Sequence, residues 1–361
     1  MSSVGTYLDD KEWLENRTYG NDLKLLIINN GIKVYKDMIK KENKYLRYDY
    51  GGKIINFKYV LKYILLLVLE PFFYLICSIP YKVKGKKYNI CFCTIFKDEA
   101  PYLKEWIDYH QLIGVEHFYL YNNNSTDNYK EVLDPYINEG SVTLIEWPDT
   151  PGQISAYKHW LSNFKAETNW VSFSDVDEFF CPLAEATLRE WIIKYKKYPV
   201  LLVYWKIFGA SSRIDHDSSK YVIEQYTSCS PKLNEIGKLF YNTEFEIDNK
   251  FIGISMHHHL EVKKYGITIP PINVFGHFVK WGINRGSTKE IDMQMNHYNT
   301  KALNCYINKH KKGDSAFDKS WRSFDRFIRI ERACTEKDFK IQRFLLSLKL
   351  KQKRIDAESL F

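Results

Sequence analysis

Between residues 88 and 173 the chain alternates between two hydrophobic periods, and this alternation limits its fold more than any other feature. Tyr88–Thr94 (YNICFCT) is an apolar run of strand length. Pro101 stands where a helix can begin; Leu103, Trp106, Ile107, His110 and Ile113 recur at helical spacing, and Gly114 supplies a stop. His117–Tyr121 predicts a second strand, Tyr129–Tyr136 a short helix and Val142–Trp147 a third strand. A helix over Ile154–Phe164 then leads to an apolar run at Trp170–Phe173. Alternation of this kind predicts the α/β class, with a mainly parallel central sheet and helices on both faces. A chain of 361 residues can bury one large core and still carry appendages.

The last of these runs ends in two acids, Asp175 and Asp177, within WVSFSDVDEFF. An extended chain puts residues i and i+2 on one face. In open α/β sheets ligands bind beyond the carboxyl ends of strands. Two carboxylates there suit a hard divalent cation that fills its other positions with substrate phosphates. A strand that ends in a solvated acidic turn would look the same, so the pair needs its context. The first two strands run into polar loops, Lys97–Glu99 and Asn122–Asp127.

Those blocks carry a family likeness. IFKDEAPYLKEWIDYHQLIGVEHFYLYNNNSTDN resembles the donor-binding half of family 92 glycosyltransferases and their family-2-like relatives, and FSDVDEFF resembles their metal motif. VYWKIFGASS, VIEQY and MNHYNTKALNCYINKHKKGD are similar to later blocks, so the likeness spans about residues 88–314. Tyr226–Met295 matches only loosely, and the triple His257–His259 is unusual. The resemblance implies a GT-A-like sheet, a UDP-sugar donor carrying a hexose such as galactose, and a glycan or lipid-linked acceptor. It implies Mn2+ or Mg2+ held by Asp175 and Asp177. His297 resembles a third ligand, with His257, His258 and His259 competing for that role. Expected donor contacts are Thr94, Lys97, Asp98, Glu99, Asn123, Ser125, Asp127 and Gln153; the Asn, Ser and Asp among them also suit ordinary turn chemistry. Lys301, Lys309 or Lys312 could offset phosphate charge, and Glu178 could support the metal site. An inverting reaction needs a base near the acceptor hydroxyl; Asp215, Glu235, Glu244 and Glu246 are candidates with nothing to choose between them. Tyr204, Trp205, Trp281 and Tyr298 are candidate sugar platforms, although aromatics more often fill cores.

Other function classes fit less well. A nucleotidyl- or phosphotransferase would need its own phosphate cradle, and the sequence has no G-x-x-x-x-G-K-[ST] loop. A non-catalytic membrane-associated scaffold would fit if the acids were structural. No nucleic-acid motif accompanies the net charge of +8. Seven scattered cysteines without a C-x-x-C pair read as reduced thiols.

Outside the catalytic domain at 88–314, three regions differ in character. Residues 1–58 form a polar, Lys-rich extension in which Trp13, Leu14, Leu23, Leu25, Leu26 and Ile27 are the apolar material. Residues 59–80 contain the apolar Tyr59–Ile79, long enough to span a bilayer but interrupted by Lys62, Glu70 and Pro71. A kinked interfacial or re-entrant element is expected, ahead of a single span or a buried core helix. Residues 315–361 are basic and helical; Phe339–Arg354 predicts either a helix on an anionic membrane or one packed on the domain. Two glycosylation sequons fall in the donor loop, where a glycan would obstruct the site. With the reduced thiols this argues against a secretory lumen, and the Lys-, Ile-, Tyr- and Asn-rich usage suggests a bacterial source, so the expected location is the cytoplasmic face of a bacterial membrane, in surface polysaccharide synthesis.

Overall fold

The computed structural model describes residues 57–248, 256–287, 290–313 and 322–353, with Lys33 before them. The apolar residues expected to anchor the extension at 1–58 lie outside the described residues, as does the end of the chain from Arg354. Four strands arise where the alternation predicts them: β1 (Tyr88–Phe96), β2 (His117–Asn122), β3 (Val142–Glu146) and β4 (Thr168–Phe173). β5 (Glu178–Pro182), β6 (Val200–Ile207), β7 (Ser228–Cys229) and β8 (Gly237–Asn242) follow. Short strands complete the set: β9 (Glu246–Ile247), β10 (Val262–Lys264), β11 (Ile267–Ile269), β12 (Ile272–Asn273), β13 (Met293–His297) and β14 (Glu336–Lys337).

The central sheet runs β3-β2-β1-β4-β8-β6-β13-β5, with β12 also paired to β6. β1 to β4 are mutually parallel, as are β6 with β12 and β13; β8 and β5 run against their neighbours. β1 is almost continuously apolar because both of its faces are covered. Adjacent residues on β2 point to opposite faces. Phe118 meets Trp106 of the helix Ala100–Leu112, whereas Tyr119 meets Trp160 of the helix Gln153–Asn163. Helices therefore flank both faces, as the alternation predicts. The antiparallel β8 between β4 and β6 was not foreseen, because its partners come from distant parts of the chain.

Gly237 is what lets β8 approach β6. A Cβ there would lie 1.9 Å from the Val203 carbonyl oxygen. The close fit brings Lys238 under the end of β4, where it meets the acids.

The apolar segment at 59–79 forms one helix, Phe57–Ser78, with Pro71 inside it. Tyr63, Leu66, Phe73 and Ile76 are buried against the domain, and Leu61, Val68 and Leu75 face outward. Phe73 and Tyr74 pack on Phe278 with ring centroids 5.3 and 5.0 Å apart. The helix is thus neither a free span nor a fully buried core element.

The described part of the basic segment, residues 339–353, packs on the domain, and Arg343 and Lys349 reach inward. Arg343 donates to the carbonyls of Pro182 (2.7 Å) and Glu185, and Lys349 pairs with Glu224 at 2.9 Å. The helix Leu345–Gln352 lies on the helix Ala100–Leu112. Packing on the domain is one of its two expected settings.

Candidate active site

β4 ends at Phe173, and the chain turns through Ser174–Asp177 before returning as β5. This turn lies at the carboxyl edge of the parallel strands, and Asp175 and Asp177 open there into a cavity of about 490 Å³. Its walls come from four regions. The loops after β1 and β2 give Lys97, Glu99 and Asn123, and the start of the helix Gln153–Asn163 gives Gln153. β6 and β13 give Trp205 and His297, beside His257 and His258. The segment after β13 adds Asn299, Lys309, Lys312, Arg322 and Arg326.

The two acids have different surroundings. Asp175 keeps its side chain 37% exposed and accepts a hydrogen bond from Lys238 at 2.8 Å. Asp177 is buried, its Oδ2 paired with Lys309 and its Oδ1 3.7 Å from His297 Nε2. Burial alone would raise the Asp177 pKa, but Lys309, then His297 and Lys301, overcome it and hold the carboxyl well below the usual range. Burial pushes His297 down to about 4, so its imidazole is neutral at neutral pH. Its ring lies against Trp205, with centroids 4.4 Å apart.

Glu178 organises the site from behind. It is fully buried and accepts from the Asp175 N–H (2.9 Å), Ser174 Oγ (3.1 Å) and Trp205 Nε1 (2.8 Å). Burial raises its pKa, partly offset by Lys238 at 3.4 Å. One carboxyl thus fixes the acidic turn and the indole beside His297. The sequence hinted at Glu178 through adjacency alone; Lys238, Arg322 and Arg326 carried no such sign.

The predicted donor residues divide. Lys97, Glu99, Asn123 and Gln153 line the cavity, and Asn123 Nδ2 is fixed by the Trp147 and Asp149 carbonyls, both at 2.8 Å. Asp98, Ser125 and Asp127 instead brace the loops. The Asp98 N–H donates to Ser125 Oγ (2.8 Å), Asp98 Oδ1 accepts from the Thr126 N–H (2.6 Å), and Asp127 accepts from the Ala100 N–H (2.8 Å). Thr94 is buried in β1 and does not line the cavity. This is the turn chemistry that competes with ligand binding for such residues.

None of the four expected bases reaches the cavity. Asp215 is exposed and bonded to Asn304. Glu235, partly buried, does not line it either. Glu244 pairs with Lys86 at 3.2 Å, and Glu246 lines a separate hollow beside it. Of the four candidate sugar platforms, Trp205 alone lines the cavity; Tyr204 and Tyr298 are fully buried core residues, and Trp281 lies elsewhere. His258 Nδ1 donates to the Gly237 carbonyl at 2.7 Å, which fixes its ring at the cavity wall.

The donor chemistry fits a divalent cation. An ionised carboxylate stands beside a neutral imidazole, a set that Mn2+ accepts more readily than Mg2+. Among the described residues no three His, Cys, Asp or Glu groups converge on one point. Remaining positions would therefore fall to water or phosphate oxygens, as is usual for hard cations at phosphate sites.

Comparison with known proteins bears on this cavity. The family model described as Glycosyltransferase family 92 matches residues 86–333. The Arabidopsis thaliana family 92 protein At1g27200 is 40% identical over 100 residues, which are 27% of this chain and 17% of that protein. A Ricinus communis family 92 protein, RCOM_0530710, is 30% identical over 190 residues, 49% of this chain and 32% of that protein. The Arabidopsis galactan beta-1,4-galactosyltransferase GALS3 is 30% identical over 134 residues, 32% of this chain and 26% of that protein. The chain spans about a third or less of the curated relatives it matches. Among solved structures, S. aureus TarS 1-349 matches with a TM-score of 0.28 and 17% identity, over 43% of this chain and 47% of that one.

Proposed function

The chain belongs to glycosyltransferase family 92, and from that premise we propose that its cavity transfers a hexose from a UDP-sugar to a glycan or lipid-linked acceptor. One observation carries the reading: a strand-end acid pair lines one cavity together with Lys309, Lys312, Arg322 and Arg326. A sugar nucleotide brings a diphosphate, and cations around it stabilise the charge that grows as the sugar departs. Galactose is the favoured hexose because two relatives are named galactan galactosyltransferases.

Each wall has a task in this reading. Glu99, Asn123 and Gln153 present polar groups to the nucleoside. Lys309 and Lys312 meet the phosphates, and Trp205 gives the sugar an apolar face. Asp177 and His297 would hold the cation, with Asp175 beside them. When bound, that cation supplies Lewis-acid stabilisation of the leaving diphosphate. Glu178 keeps the acidic turn and Trp205 in place. For an inverting transfer the acids that line the cavity are the nearest candidates for the base. Among the described residues Asp175 is the most open of them, its side chain 37% exposed against 15% for Glu99 and 4% for Asp177.

Nucleotide release measured over a panel of sugar nucleotides tests the reading. UDP-sugars should be turned over with Mn2+, release should stop with chelator, and it should return when the metal is restored. Calorimetry in Mn2+ should find UDP bound at least about tenfold tighter than GDP or CDP. Full turnover in excess chelator would remove the cation from the reading, and equal binding of the three nucleotides would remove the uridine preference.

A further inference from the structure

The helix Phe57–Ser78 has one face that the domain does not use. Leu61, Ile64, Leu65, Val68, Phe72 and Leu75 recur at helical spacing and stand exposed, Val68 at 68% and Leu75 at 64%. They form one stripe on a helix of 22 residues, about 33 Å long at 1.5 Å per residue. A continuous apolar stripe of that size marks an interaction surface on a soluble domain.

We propose that this stripe seats the protein on the surface of an anionic lipid bilayer, with the helix in the plane of the interface. Three features favour lipid over a protein partner. The stripe offers no side-chain hydrogen-bonding group, so it supplies apolar area without polar complementarity. The one acid in the helix, Glu70, is turned into the domain, where Arg285, His277 and the Phe278 N–H hold it. The end of the stripe is basic and aromatic: Lys82, Lys84, Lys87 and Lys263 are exposed, and Tyr265 is 59% exposed with its hydroxyl bonded to the Pro80 carbonyl. Interfacial helices combine these properties, an apolar face with lysines and aromatic rings at headgroup level. Lys82, Lys263 and Tyr265 line one hollow with Glu244 and Glu246, the first of these acids held by Lys86.

The docked face decides between lying on the membrane and crossing it. Lys264 donates to the Cys77 and Ile79 carbonyls at 2.9 and 2.8 Å, tying the helix end to the domain. A crossing would have to break these bonds and strip Glu70 from Arg285 inside hydrocarbon. Seating the stripe on the interface breaks none of them. Membrane binding is independent of the catalytic reading, and a failure of one leaves the other standing.

Flotation of the full chain tests this, with vesicles of phosphatidylcholine alone and of phosphatidylcholine with phosphatidylglycerol. The wild type should float with the anionic vesicles. Replacing Leu61, Val68 and Leu75 together by Gln should cut partitioning at least about 100-fold at every salt concentration, since each buried side chain contributes strongly. The melting curve should stay cooperative. Lys82→Gln with Lys84→Gln should cost about fivefold per lysine in low salt and little in high salt. Absence of flotation by the wild type would overturn the proposal, as would full flotation of the folded triple variant. A wild-type dimer that the triple variant splits, without flotation, would assign the stripe to self-association instead. If the triple variant misfolds, salt-independent binding of the lysine variant serves as the contrary result.

Discussion

Two buried carboxylates in this protein have nearly the same partners and different settings. Asp177 sits with Lys309 and His297; Glu70 sits with Arg285 and His277. In both, the cation and imidazole outweigh burial and hold the carboxyl below its usual range. The Asp177 group borders the cavity, and the Lys309 side chain remains 23% exposed. The Glu70 group lies between a helix and the domain, away from that cavity, with the Arg285 side chain 10% and the His277 side chain 26% exposed. An ion pair facing a cavity can exchange partners with an arriving cation or phosphate. One set between two packed elements fastens them together, and losing a partner there leaves the other charge uncompensated.

The largest effect should come from Asp177→Asn. Transfer should fall by about 100- to 1,000-fold, while the melting temperature moves little because Lys309 can hydrate through the cavity. A variant that loses activity only by unfolding, as thermal melts would reveal, would make Asp177 a structural ion like Glu70. The opposite pattern is expected for Glu70→Gln. Urea unfolding should register a loss of about 3 kcal/mol from the stranded Arg285, with turnover per folded molecule unchanged. A matching loss of turnover would mean that the helix contact is coupled to the cavity.

A smaller effect follows from acid. Burial pushes His297 down to about 4, and His110 down to about 3. An unfolded histidine titrates near 6.5. As pH falls below that value the unfolded chain takes up protons that the fold refuses, so stability falls between about pH 6.5 and 4. Each such histidine contributes at most about 1.4 kcal/mol per pH unit. Asp177 and Glu70, with depressed values, withdraw their stabilisation only in stronger acid. Denaturation series across pH should therefore find His297→Gln with a shallower acid limb than the wild type; an unchanged slope would mean that the imidazole is already charged in the fold.

Much of this was legible in the chain because it is local. The first four strands begin at or within two residues of their predicted starts, since hydrophobic period and turn residues act over a few positions. The acid pair was legible for the same reason: i and i+2 share a face whatever lies around them. The donor loops were half legible. Asn123 lines the cavity while Asp98, Ser125 and Asp127 brace loops, and all four belong to residue types that serve either purpose. The candidate bases were chosen by sequence region, and a region of chain does not say which way a carboxylate faces.

What the sequence determined by itself is the α/β alternation, the position of the acids at a strand end and the presence of one long apolar segment. Those follow from short-range periodicity, which survives without knowledge of neighbours. The tertiary structure alone decided which cations meet which acids. Lys238 reaches Asp175 because β8 enters the sheet antiparallel beside β4, and Lys309 reaches Asp177 across 132 positions of sequence. It also decided that Glu70 turns inward, which leaves the long helix apolar on its outer face. Charge pairing depends on distance in space, and only the folded chain sets that distance.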